Sequence, residues 1–175
     1  MNLTEISSAK YWPSLAFLFS AAMLAGAHGF EHIGGMDPCQ LCLRQREVYW
    51  AVILIAGLLV ALQYIGKAQK FLRIGIVIIG IIFLAGAMIA GFHVGVELKF
   101  WEGPASCSGT MADLSGLGGN LLESLSEPAK APGCGEVPWS MLGISMAGWN
   151  GLISLALAIM SFLVFLRPSK TQVNK

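Results

Sequence analysis

Hydrophobic positions along this chain gather into four long runs, three of them uncharged and the first uncharged until Glu31, and do not repeat with the period of a soluble amphipathic helix. A helix needs about 20 mostly apolar residues to cross the hydrocarbon core of a bilayer, and each run is close to or above that length. Each run is also apolar on every side, which suits contact with lipid. The pattern predicts an all-α membrane protein, a four-transmembrane-helix bundle forming a single domain over residues 1–175, with spans at about 14–33, 48–65, 74–96 and 141–166.

Composition supports the membrane prediction. Of the 175 residues, 55% are hydrophobic and 12% are charged, and the mean hydropathy is +0.69, whereas a typical globular chain carries roughly 25% charged residues. The net charge of +1 gives no basis for nucleic-acid binding. The first run is too long for a cleaved signal sequence, lacks a basic cluster before it and has no small-x-small site before Glu31, so we expect it to be retained as a span.

The charged residues divide unequally between the two sides of the predicted membrane. The side with both termini and the connection after the second span holds seven of the eleven basic residues but only one acidic residue, Glu5. Basic residues in short flanking segments mark the cytoplasmic side, so both termini are predicted to be cytoplasmic. Outer loops at about 34–47 and 97–140 then face the opposite compartment. Within the second loop, leucines at helical spacing predict a short helix lying in the interface.

All four cysteines fall in these outer loops, where disulfides form and persist. Cys39 and Cys42 form a C-x-x-C pair, whose ring is too small to contribute much stability but whose position near a helix start favours a thiolate. Cys107 and Cys134 are separated by 26 residues, and a bridge between them would close the long loop. Two exchangeable thiol pairs are the favoured interpretation. Structural staples and a zinc site are the alternatives, and we expect no metal.

Arginine and histidine residues beside the outer loops are candidates for redox chemistry. Arg46 follows Cys42 by four residues and therefore lies on the same helix face, where its cation can stabilise a thiolate or a reduced, anionic acceptor. The alternative for Arg46, and our interpretation of Arg44, is an arginine that extends to the lipid headgroups. His93 precedes Glu97 by four residues at the outer end of the third span, where ionisable residues indicate function and histidine can deliver protons near neutral pH.

A second group of ionisable residues, His28, Glu31 and His32, lies at the end of the first span. Two histidines four residues apart can bind a metal or haem, but only one further histidine, His93, is available to complete such a site. Hydrogen bonding in the interface is the favoured interpretation.

Segment 38–46, PCQLCLRQR, resembles the P-C-x-L-C-x-x-Q-R motif of the DsbB family, disulfide bond formation protein B, the quinone-linked thiol oxidases of bacterial inner membranes. Segments 93–97 (HVGVE) and 101–107 (WEGPASC) are similar to a subgroup of that family. The resemblance covers essentially the whole chain, because four spans, a first outer loop with C-x-x-C and a second with two spaced cysteines occur in the same order.

The resemblance implies a protein-dithiol:quinone oxidoreductase that reoxidises a periplasmic dithiol oxidase of the DsbA type. Reduced DsbA would attack a disulfide between Cys107 and Cys134, and Cys107 would form the mixed disulfide. The electrons would pass to Cys39 and Cys42, through a transient link between Cys39 and Cys134. This exchange would sustain disulfide bond formation.

The quinone site that the family implies lies beside Cys42, which would donate the electrons to ubiquinone or menaquinone. By family position, Arg46 would contact the quinone and stabilise its charge-transfer or reduced state, and His93 would neighbour the ring. The implied location is the bacterial inner membrane, with the cysteine loops facing the periplasm.

Two other functions compete with this one. A four-helix enzyme similar to vitamin K epoxide reductase also links a C-x-x-C to a quinone, but its motif is expected on the last helix and not after the first. A structural or metal-handling four-helix membrane protein, with cysteines that serve only as stapling disulfides, belongs to a different class.

Overall fold

The computed structural model describes residues 9–66, 69–104 and 133–167. Within these ranges four α-helices follow one another: α1 (Trp12–His32), α2 (Gln40–Tyr64), α3 (Gln69–Glu97) and α4 (Met146–Leu166). All four are long and apolar enough to cross a membrane. The predicted all-α bundle of four spanning helices is therefore confirmed. The predicted interfacial helix and Cys107 lie outside the described residues.

Helix packing leaves a gap on one side of the bundle. α1 packs on α2, α2 on α3, and α3 along most of α4, whereas α1 and α4 touch only slightly. Fully buried side chains such as Phe83, Ile76 and Val52 form the core. At one end of the bundle Trp12 Nε1 donates a hydrogen bond to Ser161 Oγ at 3.1 Å, which joins α1 to α4. At the other end the space between α1 and α4 remains open as a cavity.

A two-stranded hairpin lies at this second end of the bundle, just before α4. Strand β1 (Ser140–Met141) pairs antiparallel with β2 (Ile144–Ser145). The two turn residues, Leu142 and Gly143, have φ of 55° and 77°, as a tight type I′ hairpin turn requires. Trp149 Nε1 donates to a β1 carbonyl at 3.2 Å and attaches the hairpin to the first turn of α4.

Two helix starts differ from the predicted spans. α2 begins at Gln40 and not near 48, so most of the predicted outer loop 34–47 is helical. The prediction counted only uncharged residues, but α2 accommodates Arg44 and Arg46 because each has a carboxylate partner within 4 Å. α4 begins at Met146 and not at 141, because the preceding residues form the hairpin.

Close approach of α3 and α4 depends on glycine at position 80. A Cβ on Gly80 would lie 3.0 Å from Ser161 Cβ and 3.3 Å from the Phe162 ring, whereas a Cβ on Gly91 of the same helix would meet nothing within 4 Å. We expect Gly80→Val to destabilise the bundle by about 1–3 kcal/mol through overpacking. The matched control Gly91→Val should leave stability unchanged. The difference in stability between the two variants is measured by thermal unfolding in detergent, monitored by tryptophan fluorescence. Equal melting temperatures for Gly80→Val and Gly91→Val would contradict this packing.

Candidate active site

A pair of free thiols lies where α2 begins. Cys39 is the N-cap residue, and its Sγ accepts a hydrogen bond from the backbone N–H of Cys42 at 3.3 Å. Sulfur thus takes the role that a serine or aspartate oxygen has at other helix starts. The Sγ atoms of Cys39 and Cys42 lie 2.9 Å apart and share a second hydrogen bond within the first turn. Because neither cysteine is bridged, this pair does not staple the structure.

Electrostatics at this N-cap favour a thiolate on Cys39. The hydrogen bond donated by the Cys42 thiol contributes most, and His93 adds to it, so the pKa of the Cys39 thiol lies well below its ordinary value of 9.0 although burial acts in the opposite direction. The partial positive charge at the helix N-terminus also favours an anion here. Cys39 is therefore the thiolate of the pair at neutral pH, and Cys42 is its hydrogen-bond donor.

A disulfide-bonded cysteine packs against Cys39. Cys134 is 1% exposed, shares a small buried cluster with Cys39 and is disulfide-bonded. Since Cys39 and Cys42 carry free thiols, the one other cysteine in the sequence is Cys107, which lies outside the described residues. The structure thus brings one cysteine from each predicted pair into the same buried cluster.

His93 connects the thiol pair to a chain of buried polar side chains. Its Nε2 lies 3.6 Å from Cys39 Sγ, and its Nδ1 lies 2.9 Å from Gln45 Nε2. Gln45 Oε1 accepts a hydrogen bond from Asn150 Nδ2, and Asn150 Oδ1 accepts one from the Tyr49 hydroxyl. The chain therefore joins α3, α2 and α4, and each of the two amides is bonded on both sides.

A buried carboxylate also faces His93. Glu97 Oε1 lies 3.9 Å from His93 Nε2, and the Ser145 hydroxyl donates to the other oxygen of Glu97. A backbone hydrogen bond with Cys134 completes the surroundings of the ring. The i, i+4 spacing of His93 and Glu97 therefore produces a contact at the site, as the sequence suggested.

A cavity of about 350 Å³ lies between α1, α2, α4 and the hairpin. Its wall is mainly apolar and includes the rings of Phe30 and Trp139, whose centroids are 5.3 Å apart. Cys42, Arg46 and Tyr49 line it from α2, because positions i, i+4 and i+7 share one helix face. An apolar cleft with a few convergent polar groups suits a largely hydrophobic small molecule.

The two free thiols face different surroundings. Cys42 lines the cavity, whereas Cys39 and His93 are not among the lining residues and lie toward Cys134. His93, which the family resemblance placed beside a quinone ring, contacts Cys39 directly and is joined to the cavity wall through Gln45. The C-x-x-C pair lies between a disulfide and an apolar cavity.

Two partners on α1 hold Arg46 in the cavity wall. Its guanidinium donates to the Glu31 carboxylate and, at 3.2 Å, to the Ala27 carbonyl. Arg44 differs, because its side chain is more than half exposed, pairs with Glu47 at 2.9 Å and does not line the cavity. The helical register that distinguished the two arginines in the sequence therefore also separates their surroundings in the structure.

Two groups of side chains among the described residues carry donor atoms close enough for a metal ion. They are Cys39, Cys42 and His93, and His28, Glu31 and His32; within each group the donor atoms lie within 4.8 Å of one another. In the second group the imidazoles stack with centroids 5.8 Å apart, and His28 Nδ1 lies 3.7 Å from Glu31 Oε2. Because the Glu31 carboxylate is already paired with Arg46, it is a poorer ligand for a dication.

Comparison with known proteins identifies the family. The family model described as Disulfide bond formation protein DsbB matches residues 9–164. The chain belongs to the DsbB family. Relatives named disulfide bond formation protein B include that of Methylococcus capsulatus, 33% identical over 161 residues that cover 90% of this chain and 94% of the relative. That of Xylella fastidiosa strain 9a5c is 34% identical over 155 residues, covering 85% of this chain and 84% of the relative. No solved structure matches the chain.

This chain is a multi-pass membrane protein of disulfide bond formation, because it belongs to the DsbB family and has four helices that can span a membrane. The family name also implies the role of a disulfide oxidoreductase. The free thiol pair beside a disulfide-bonded cysteine is consistent with that role.

Three side chains of the site, Gln45, Asn150 and Tyr49, were not indicated by the sequence. Gln45 and Tyr49 follow Cys42 by three and seven residues, so the helix face that the sequence assigns to Cys42 and Arg46 also includes these two side chains. Asn150 is a polar residue in an apolar span, where such a side chain needs a partner. The identity of that partner depends on how α4 packs and has no signal in the sequence.

Proposed function

We propose that this DsbB-family protein is a protein-dithiol:quinone oxidoreductase that reoxidises a periplasmic DsbA-type dithiol oxidase and passes the electrons to a membrane quinone. The observation that carries this proposal is the position of the Cys39–Cys42 pair between the disulfide-bonded Cys134 and an apolar cavity. One thiol faces a source of electrons and the other faces space for a lipid-soluble acceptor. The proposed location is the bacterial inner membrane, with both termini cytoplasmic and the cysteine loops in the periplasm.

The proposed electron path begins with thiol–disulfide exchanges. One thiolate of the reduced partner attacks Cys107, which forms a mixed disulfide and releases Cys134. The partner's second thiol then attacks its own sulfur in the mixed disulfide, so the partner leaves with a disulfide and Cys107 is released as a thiol. The Cys134 thiolate then attacks the Cys39 sulfur of a Cys39–Cys42 disulfide, which forms a Cys39–Cys134 link and releases Cys42 as a thiolate. Attack of Cys107 on Cys134 restores the first disulfide and releases Cys39. The packing of Cys134 against Cys39 supports this order.

A quinone fits the cavity beside Cys42. The wall is apolar apart from a few polar groups, which suits an aromatic headgroup with an isoprenoid tail, either ubiquinone or menaquinone. A bound quinone would serve as the two-electron acceptor when the Cys39 thiolate and the Cys42 thiol return to a disulfide, with one proton coming from Cys42 and the other from solvent. Cys42 presents its thiol to the cavity, and the Arg46 guanidinium stabilises negative charge that develops there. His93 holds a proton beside Cys39.

Quinone-dependent reoxidation of a DsbA-type protein tests this function. The purified protein is mixed anaerobically with an excess of reduced DsbA and either ubiquinone or menaquinone, and the loss of thiols is followed. We expect continuous turnover with at least one quinone and, without quinone, oxidation of no more than a stoichiometric amount of DsbA. Equal thiol loss with and without quinone, or no loss with either quinone, would overturn the proposal.

A further inference from the structure

The hydrogen bonds that link Asn150, Gln45 and His93 all run in one donor-to-acceptor direction. Gln45 Oε1 accepts a hydrogen bond from Asn150 Nδ2, so the amide nitrogen of Gln45 faces His93 Nδ1. An amide nitrogen only donates, and Nδ1 must therefore be the acceptor. The proton of a neutral imidazole is then on Nε2, the atom that lies 3.6 Å from Cys39 Sγ.

The groups at both ends of this series of hydrogen bonds agree with the same donor-to-acceptor direction. At one end the Tyr49 hydroxyl donates to Asn150 Oδ1 and has a further partner in Ser154 Oγ at 3.0 Å. At the other end Cys39 Sγ accepts the backbone N–H of Cys42 and, as a thiolate, also the hydrogen of the Cys42 thiol 2.9 Å away, so a donor is the group that best faces it. A His93 ring with a bare Nε2 would instead direct a lone pair at the Cys39 thiolate.

We propose that Gln45 is a positioning residue that fixes His93 with its proton on Nε2, where the N–H stabilises the Cys39 thiolate. The inference rests on the proposed function, in which Cys39 is the leaving group when the Cys39–Cys134 link is resolved. In that step the Cys107 thiolate forms a bond to Cys134, the Cys39–Cys134 bond breaks, and its electron pair remains on Cys39. No external oxidant is needed, and a stabilised thiolate leaves faster.

Other charged or titratable groups near His93 do not oppose a proton on Nε2. They come from three elements: Cys42 and Arg46 on α2, Glu97 on α3 and the disulfide-bonded Cys134 before the hairpin. Glu97 lies toward Nε2 and thus favours a proton on that atom, whereas Arg46 is paired in the cavity wall. Gln45 Nε2 lies 2.9 Å from Nδ1, and the ring also has a backbone hydrogen bond with Cys134.

The pH dependence of Cys39 alkylation tests this role. A Cys42→Ser background keeps a hydroxyl donor next to Cys39, and mass spectrometry measures how fast a small alkylating reagent labels the Cys39 peptide. We expect Gln45→Leu to move the labelling profile upward by about one pH unit, so the rate at pH values below the midpoint of the profile falls about tenfold and recovers as the pH is raised. Simple structural damage would not be repaired by raising the pH.

Two further variants accompany this measurement. Gln45→Glu should keep most of the labelling at low pH, because a carboxylate there retains a proton on both ring nitrogens and Nε2 still donates. Gln63→Leu is the matched control: it makes the same change on the same helix, where the side chain binds the Lys10 carbonyl at 3.0 Å, and should leave the profile unchanged.

The ¹⁵N chemical shifts of the His93 ring give an independent readout. We expect the proton on Nε2 in the wild-type protein and a mixture of tautomers in Gln45→Leu. A proton on Nδ1 in the wild type would overturn the proposal. Gln45 also lines the cavity. An unchanged Cys39 profile in Gln45→Leu together with a raised apparent quinone KM would therefore also overturn the proposal, because Gln45 would then act only in the cavity wall. The thiol and imidazole measurements need neither quinone nor DsbA, so this inference and the proposed function can fail separately.

Discussion

Replacing Cys42 with serine is expected to reduce quinone-dependent oxidation of DsbA on the order of a thousandfold or more, because removing one member of a catalytic unit removes nearly all of its rate enhancement. Serine has almost the same size and keeps a hydrogen-bond donor, so insertion and folding should persist. What is lost is the thiol that lines the cavity and that can form a disulfide with Cys39. Thiol loss from reduced DsbA, with the amount of membrane-inserted protein measured in parallel, gives the turnover.

Leu43→Ser provides the control for this substitution. It introduces the same side chain at the next position, where Leu43 is 39% exposed and does not line the cavity, so turnover should stay close to wild type. Turnover of the Cys42→Ser variant at the wild-type rate would mean that the C-x-x-C pair does not carry the electrons. The redox function would then be wrong.

Replacing Arg46 with alanine is expected to raise the apparent quinone KM roughly ten- to a hundredfold, since a hydrogen bond to a charged group contributes about 1.5–3 kcal/mol and each 1.4 kcal/mol is a factor of ten. The guanidinium lies in the cavity wall, one helical turn beyond Cys42, and its attachment to the Ala27 carbonyl limits its movement. Turnover at saturating quinone should fall less than the KM rises. Steady-state rates over a range of quinone concentrations give both quantities.

Two controls separate the charge of Arg46 from other consequences of its removal. Arg44→Ala makes the same change two residues earlier, at an exposed side chain outside the cavity, and should leave the KM unchanged. The double variant Glu31→Gln/Arg46→Ala removes the carboxylate that would otherwise lose its partner. If the quinone dependence of Arg46→Ala equals that of wild type, Arg46 is not part of the quinone site.

The spans and the thiol chemistry could be predicted because their signals are local. In lipid a helix must satisfy its own backbone hydrogen bonds, so four apolar runs of sufficient length determine four helices. The C-x-x-C spacing likewise brings the Cys39 and Cys42 side chains into contact, because both belong to one helical turn. Helix α2 begins at Gln40, ahead of the uncharged run at 48–65, and therefore includes arginine. Its charge is tolerated where another helix supplies a carboxylate, as Glu31 does for Arg46.

The sequence by itself thus determined the number of helices, the thiol pair and the helix face that Cys42 shares with Arg46. Only the tertiary structure decided that Cys39 packs against Cys134, that the cavity lies between α1 and α4, and that Gln45 joins His93 to Asn150. Helical periodicity relates positions three or four residues apart, whereas Gln45 and Asn150 are 105 positions apart. Such contacts depend on which helix faces meet, and that is set by the packing of the whole bundle.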